Sequence, residues 1–209
     1  MSPAALRPSM KEELDEKESE ILGIMFGDGS VRPTLRSLKI EVSGHKVDDR
    51  DYLLGHVSGL FREVFGLKMR PYYRRKENSM VIYAYSQQVG LELHEWGMPI
   101  GSKVRAILVP RVSVKTVPFI RGLFDTDGCI YRKYGPYAQV QFKSASRDLM
   151  NYARGLLVSL GFRPTAVIKD ESRFKFYICR QVEVVRFIRV IRPANKKHME
   201  RFKAVLKGF

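Results

Sequence analysis

The stretches Ile21-Leu-Gly-Ile-Met-Phe-Gly-Asp-Gly29 and Ile120-Arg-Gly-Leu-Phe-Asp-Thr-Asp-Gly128 share one pattern at an offset of 99 residues, which indicates a duplicated architecture. The residues that follow each stretch also correspond. Leu38-Lys-Ile-Glu-Val-Ser43 and Ala138-Gln-Val-Gln-Phe-Lys143 both alternate like β-strands. Beyond them, residues 51–66 and 146–161 are predicted as helices that end at a glycine. Two copies of one module is the economical interpretation.

Each copy is predicted to run helix, two strands, helix, two strands, helix, from period-2 alternation between stretches of helical period. The predicted fold is therefore α+β, with two pseudo-symmetric αββαββα repeats that each carry an antiparallel sheet. The predicted divisions are a tail or helical lead-in over 1–18, a first repeat over 19–97, a linker over 98–115 and a second repeat over 116–209. The linker holds Pro99, Gly101 and Pro110, and Pro118 falls in the first turn of the second motif helix, where proline is tolerated.

Composition points to a polyanionic partner. The 209 residues carry a formal net charge of +15, from 37 Lys and Arg against 22 Asp and Glu. Nucleic acid is the commonest partner of such a surface. A membrane is the rival, but no apolar run approaches the ~20 residues of a spanning helix and Met1 to Glu20 lacks a secretory apolar core. We expect an intracellular protein that is not secreted and does not bind membranes.

Cysteine usage excludes two classes of site. The chain has only Cys129 and Cys179, too few for a disulfide framework or for a zinc site built on paired cysteines.

Small residues recur inside the repeated stretches. Gly23 and Gly27 lie four apart in the first copy, and Gly122 and Thr126 take the same places in the second. On a helix such positions share a face and let a second helix approach closely. The two motif helices are thus predicted to pack against each other.

Each motif helix is predicted to end in Asp-Gly, with Gly29 and Gly128 in the left-handed conformation that terminates helices. A carboxylate at a helix C-terminus is disfavoured by roughly 0.3–1 kcal/mol, and two converging ones repel further. Mg²⁺, which is typically held by one or two carboxylates with phosphate and water, would reverse that balance. One Asp-Gly is usually an ordinary turn. Two in register on a duplicated, basic module favour a metal site at Asp28 and Asp127, with Mg²⁺ as cofactor and Mn²⁺ as a substitute.

The predicted strands carry polar side chains on one face. Between Lys68 and Lys76 alternate residues are basic or aromatic, and other strands repeat the theme. Alternation alone means a half-buried sheet, but Arg and Lys suit guanine, Gln suits adenine and Glu suits cytosine. The predicted DNA-binding residues are Lys39, Glu41, Ser43, Lys68, Arg70, Tyr72, Arg74, Lys76, Tyr137, Gln139, Gln141, Lys143, Arg173, Lys175 and Tyr177.

Both repeated stretches resemble the LAGLIDADG motif of the homing endonucleases, in the form that carries two motifs in a single chain. Gly97-Met-Pro-Ile-Gly-Ser-Lys103 and Asn195-Lys-Lys-His198 also resemble segments common in that family. The resemblance maps the metal-binding acids onto Asp28 and Asp127 and implies that the preceding residues, Gly27 and Thr126, lend backbone carbonyls. Position six is Phe26 in one copy and Asp125 in the other; the first departs from the family spelling at a place that serves helix packing or capping.

The resemblance implies a monomer whose strand faces read a long, asymmetric site in double-stranded DNA, with the aspartates at the minor groove between. It further implies 3′ overhangs and an intron or intein origin, of which we favour an intron because no stretch resembles a self-splicing domain. The expected reaction is hydrolysis of one phosphodiester on each strand. Candidate assistants at predicted strand ends are Lys143, Ser144, Gln87 and Arg180. The alternatives are an RNA maturase, with intron RNA as partner, or a catalytically inactive DNA-binding protein of the same fold.

Overall fold

The computed structural model describes residues 11–75, 77–103, 109–135 and 137–206. Its first half contains α1 (Glu16–Gly27), β1 (Gly29–Pro33), β2 (Leu38–His45), α2 (Ser58–Phe65), β3 (Arg70–Tyr73), β4 (Ser79–Tyr85) and α3 (Gln87–Glu95). The second half contains α4 (Thr116–Asp127), β5 (Gly128–Tyr134), β6 (Tyr137–Ser144), α5 (Arg147–Ser159), β7 (Ile168–Asp170), β8 (Arg173–Ile178), α6 (Gln181–Ile191) and α7 (Lys196–Leu206).

The order of the two four-stranded sheets confirms the predicted duplication. The strands of the first sheet run β1-β2-β4-β3 and those of the second run β5-β6-β8-β7, and every pairing is antiparallel. The α+β fold with two αββαββα repeats is therefore confirmed. The helix α7 is an addition at the end of the second repeat.

Local chemistry explains where the helices begin and end. Asp15 caps α1, because its side chain accepts from the backbone N–H of Glu18 while the Glu18 carboxylate accepts from that of Asp15. Helix α2 is preceded by a π-helical turn over Tyr52–Val57 and ends at Gly66, which is left-handed with φ 62°.

The two motif helices form the centre of the molecule. Every residue of α1 from Glu18 to Phe26 is buried, and α4 packs along it. The apolar faces of both sheets close over this pair with residues such as Ile40 and Val42 on β2 and Val140 and Phe142 on β6. Both sheets therefore leave their other face polar. None of the helices in the described segments is long and apolar enough to cross a membrane.

The predicted role of Gly29 and Gly128 is wrong. Gly29 and Gly128 each open a strand, and neither is among the glycines with positive φ. Glycine is needed there for lack of space. A Cβ on Gly29 would lie 2.4 Å from the Cα of Met25, and one on Gly128 would lie 2.5 Å from the carbonyl oxygen of Phe124. The chain turns straight from helix to strand, and only a residue without a side chain fits.

The predicted strand over residues 68–76 is shorter than expected. Lys68 precedes β3 because the chain is still leaving α2, where the N–H of Leu67 reaches back to the carbonyl of Phe61. Arg74 follows β3 because its N–H bonds Ser79 across the turn to β4. The predicted contact at Lys76 lies outside the described residues.

Candidate active site and nucleic-acid interface

Glycines let the motif helices approach until backbone meets backbone. A Cβ on Gly23 would lie 2.2 Å from the carbonyl oxygen of Phe119, and one on Gly122 would lie 2.2 Å from that of Glu20. Both distances are far below any real Cβ contact, so these positions accept glycine alone. The small-residue pattern thus places the helices as predicted.

This packing brings the two aspartates together at the helix ends. A Cβ on Gly27 would lie 3.6 Å from the carboxyl carbon of Asp127, so the end of α1 touches the end of α4 next to Asp28. Both aspartates are half-buried, and no described residue donates a hydrogen bond to either carboxylate. The described part of the chain therefore brings two carboxylates together and supplies neither with the donors that normally satisfy a carboxylate.

The electrostatics of the pair are those of a site for a divalent cation. Burial raises the pKa of Asp28 to about 6, against the opposing charge of Lys103. Burial, and then the negative charge of Asp28, raises the pKa of Asp127 to about 7. Two carboxylates repel each other here, at helix C-termini that already carry partial negative charge. Carboxylate oxygens are also the ligands that Mg²⁺ and similar ions take. The residues present thus fit a divalent cation.

Lys103, from the connection between the two repeats, reaches the centre of the candidate site, which is the pair Asp28 and Asp127. The ammonium of Lys103 donates to the carbonyl of Gly27 and, at 3.3 Å each, to those of Met25 and Phe26. Burial lowers the pKa of Lys103, while Asp127 and Asp28 act in the opposite direction. The carbonyl of Gly27 that the family resemblance assigned to the metal is thus held by a cation of the protein. The hydroxyl of Thr126 donates back to Gly122 and Leu123.

Two further cations lie near the aspartates. Arg173 and Lys197 both act on the charges of Asp28 and Asp127. The ammonium of Lys197 donates to Asp49, at 2.7 Å. Sequence reasoning predicted Arg173 as a DNA contact and missed Lys103 and Lys197 as members of the centre. The signal that could have found them was present, because both lie in segments resembling family segments.

The predicted assistants divide into two groups. Lys143 follows Phe142, and Phe142 pairs with Gly128, the residue after Asp127. The ammonium of Lys143 donates to the carboxylate of Asp170. Ser144 is buried and accepts from the N–H of Ser146. These two lie at the inner end of the second sheet.

Gln87 and Arg180 lie at the outer ends instead. Ser86 precedes Gln87, and its N–H donates to the carbonyl of Leu38. Leu38 lies four residues, or ~13 Å, along β2 from Val42, the strand partner of Gly29. Arg180 precedes Gln181, which bonds Ala138 at the corresponding outer end of β6. The structure does not bring Gln87 or Arg180 to the aspartates. Neighbouring antiparallel strands end at opposite ends of the sheet, and β4 and β8 end away from the aspartates.

The polar face of the first sheet holds most of the predicted residues and several that were missed. Lys39, Glu41 and Ser43 share this face with Arg70 and Tyr72, as the strand register shows. The same register adds Ser30, Arg32, Tyr83 and Tyr85. Glu41 lies on the predicted face but is only 9% exposed, because Lys39 and Arg32 pair with it.

The polar face of the second sheet is richer in amides and lysine. Gln139 and Gln141 on β6 are flanked by tyrosines that orient their amides. Tyr131 donates to the Gln139 oxygen at 3.3 Å, and the Gln141 amide donates to the Tyr177 oxygen at 3.2 Å. Lys143, Lys175 and Arg173 continue this face towards the aspartates, and Tyr137 lies exposed at its far end.

Asp125, at position six of the second motif, anchors the C-terminal segment. Its carboxylate accepts from the N–H of Ala194 at 2.8 Å, and its carbonyl meets the amide of Asn195 and the ring of His198. Burial raises the pKa of Asp125 to about 7 and lowers that of His198 to about 3. This anchoring places Lys197 beside the centre.

Comparison with known proteins agrees with this architecture. Residues 116–192 match the model of the LAGLIDADG-like domain. The chain is 26% identical to the replicative DNA helicase DnaB of Rhodothermus marinus, over 90% of its own length. It spans only about a fifth, 21%, of that curated relative.

Solved structures share the fold at low identity. The LAGLIDADG meganuclease I-AabMI, bound to uncleaved DNA, is 12% identical with a TM-score of 0.61, over 93% of this chain and 91% of that chain. I-DmoI in complex with DNA and Mn is 14% identical with a TM-score of 0.58, over 84% and 96%. The N-terminal LAGLIDADG domain of DUF199/WhiA is 17% identical with a TM-score of 0.57, over 87% and 85%. These comparisons show that residues 116–192 are similar to the LAGLIDADG-like domain and that the chain as a whole shares the two-repeat fold of the LAGLIDADG structures.

Proposed function

We propose that this protein is a site-specific DNA endonuclease that hydrolyses one phosphodiester on each strand of a long asymmetric site. The observation that carries the proposal is the pair Asp28 and Asp127, two half-buried carboxylates from different repeats that meet without a hydrogen-bond donor from any residue that the structure describes. A stable fold gains nothing from that juxtaposition. A metal site gains both ligands from it.

Asp28 and Asp127 would hold the divalent cation, with Mg²⁺ as the proposed ion and Mn²⁺ as a substitute. When bound, it would polarise the phosphate and lower the pKa of a water molecule. The structures of I-DmoI with DNA and Mn and with DNA and Ca support divalent metal use in this fold.

The remaining work falls to the protein's own cations. Lys103, Arg173 and Lys197 all act on both aspartates, and Lys197 is already paired with Asp49. Lys103 and Arg173 are therefore placed to bind the scissile phosphates and stabilise negative charge that develops there. Lys143 and Lys175 extend the positive surface along the second sheet. No side chain needs to act as a covalent nucleophile.

The sheets support a double-stranded DNA partner. Each repeat presents one polar sheet face, and the active-site aspartates lie between the two sheets at the inner ends of β1 and β5. With residues 19–97 and 116–209 as the repeats and 98–115 as the connection, we propose that one chain suffices as a monomer. The proposed setting is intracellular DNA.

The origin of the gene is part of the proposal. We favour a coding region inserted in an intron. The match to about a fifth of a replicative helicase supports a second possibility, in which such a domain is carried inside a longer host protein.

The test is cleavage of a plasmid that carries the uninterrupted host sequence flanking the gene's insertion point. With Mg²⁺ the protein should convert this plasmid to linear DNA with 3′ overhangs. With chelator, or with a plasmid lacking the site, the DNA should stay intact. If the plasmid stays intact with Mg²⁺ while the intron RNA is bound tightly, the chain is a maturase and the endonuclease proposal is overturned.

A further inference from the structure

The eight strands of the described structure contain just two acidic residues, and each sheet has one. Glu41 lies on β2 and Asp170 lies on β7. Both lie on the polar face, because Glu41 pairs in register with Ser30 and Tyr83, and Asp170 pairs with Arg173. A face built only to attract phosphate would carry neither carboxylate.

Glu41 holds two cations of the first sheet. One carboxylate oxygen accepts from the ammonium of Lys39 at 2.7 Å, and the other lies 3.8 Å from the guanidinium of Arg32. Lys39 comes from the same strand and Arg32 from the neighbouring β1. The carboxylate thus cancels part of the charge that this face offers to DNA and restrains the Lys39 and Arg32 side chains.

Asp170 does the same on the second sheet. Its oxygens lie 2.6 Å from the ammonium of Lys143 and 2.9 Å from that of Lys175. The hydrogen bond from Lys143, followed by that from Lys175, lowers the pKa of Asp170 to about 2. The two sheets therefore carry the same device, one carboxylate between two cations, although it is built from different strands.

The chemistry of a DNA groove limits what such a carboxylate can bind. Phosphates repel it, and so do the acceptors of guanine and the oxygen of thymine. Adenine and cytosine both present an amino donor in the major groove, but that of adenine lies beside its N7 acceptor, which repels a carboxylate, so cytosine is the base that suits Glu and Asp. When the lysines and the arginine bind phosphates or guanine in the complex, each carboxylate loses its cations and needs an amino donor from a base in their place.

We propose that Glu41 and Asp170 are specificity-determining residues, each of which requires a cytosine amino group at one position in its own half of the target and rejects other bases there. The inference rests on the proposed function, since it takes the two sheets as the faces that read DNA. It adds that the same carboxylates weaken binding to random DNA.

The test is selection of bound sequences from a random duplex library, with full-length protein in Ca²⁺ to permit binding without relying on cleavage. Wild type, E41Q and D170N are compared. Wild type should enrich a sequence with a required cytosine in each half. E41Q should lose that requirement at one position of one half, and D170N at one position of the other.

The matched control is E63Q. Glu63 pairs with Lys17 on the surface of α2, away from both sheets, so E63Q changes the net charge equally. E41Q and D170N should bind random DNA about threefold or more tightly than E63Q does. The slope of log affinity against log salt should steepen by about 0.9, the value for one more neutralised phosphate. Because Asp170 lies on a short edge strand, D170N keeps the test open if E41Q fails to fold.

The outcomes separate this inference from the function on which it rests. If wild type enriches a sequence and both variants enrich the same one, the carboxylates read nothing and the inference is overturned while the proposed function stands. If wild type enriches no sequence, site-specific recognition itself is overturned, and the inference falls with it. Equal gains in random binding for E63Q would assign the effect to net charge and also overturn the inference.

Discussion

The two motif helices end alike but are supported differently. Asp28 and Asp127 close α1 and α4 at matched positions, and glycines at 23 and 122 make reciprocal contacts with the opposite helix. At position six the repeats diverge. Phe26 is buried and packs edge-on against Phe119, with ring centroids 5.9 Å apart, whereas Asp125 anchors the C-terminal segment.

The cations that serve each end also come from different places. Lys103, in the connection, covers the carbonyls at the end of α1, and Lys197, in the C-terminal segment, is held by Asp49 of the first repeat. The paired aspartates therefore occupy symmetric positions, whereas the residues that support them do not. Substitutions at matched positions should therefore have matched effects at the pair and unmatched effects around it.

The largest expected effect concerns the helix contact. Gly23→Ala and Gly122→Ala should each lower the free energy of unfolding by about 3 kcal/mol, because the new methyl group meets a carbonyl oxygen at 2.2 Å. Chemical denaturation measures both. Gly59→Ala and Gly155→Ala are the controls, since their added methyl groups meet nothing within 4 Å and should stabilise by about 0.5–1 kcal/mol. Wild-type stability of either motif variant would contradict the close packing.

A smaller and opposite effect is expected at the aspartates. In chelator, Asp28→Asn and Asp127→Asn should each stabilise the protein at pH 8 by on the order of 2 kcal/mol, because burial raises both pKa values above that of an unfolded aspartate and the charge of Asp28 adds to the rise at Asp127. Thermal melts measure it as a rise of roughly 4–8 °C.

The pH dependence gives the sign of this effect. A carboxyl with a raised folded pKa costs nothing below pH about 4, and its cost grows as pH rises to about 7. The gap between Asp127→Asn and wild type should therefore be near zero at pH 4 and widest above pH 7. A gap that narrows as pH rises would show that the pair is not repulsive.

The smallest effects should separate the two lysines. Lys103→Met should reduce cleavage about 10- to 100-fold, because the cation that acts most strongly on both aspartates is lost. Lys197→Met should instead mainly lower the free energy of unfolding, by about 1–2 kcal/mol, because Lys197 acts less on the aspartates than Lys103 does and its loss leaves the buried Asp49 without its cation. Single-turnover cleavage and chemical denaturation measure the two. If both variants showed the same cleavage defect and the same stability, Lys103 and Lys197 would have the same role and the proposed difference between them would be wrong.

Much of this architecture could be predicted from local pattern. The repeated stretches identify the paired aspartates, the small residues identify the helix contact, and alternation over residues 138–143 and 173–178 identifies the polar face of the second sheet. Each of these depends on residues close in sequence. The roles of the individual site residues stay predictions.

The parts that could not be predicted depend on distant residues. Lys103 contacts Gly27 across 76 residues and Lys197 contacts Asp49 across 148, and no periodicity relates them. Glu41 is buried because Arg32 arrives from the next strand. Gln87 and Arg180 were placed at strand ends correctly, but a strand pattern does not say which end of an antiparallel sheet faces the centre.

The central claim is that one active site needs an aspartate from each repeat. Its most direct test is double-strand cleavage of the target plasmid in Mg²⁺ by wild type, Asp28→Asn and Asp127→Asn, with DNA binding in Ca²⁺ measured in parallel. We predict linear product from wild type alone and retained binding by all three proteins. A linear product from either variant would contradict the shared site.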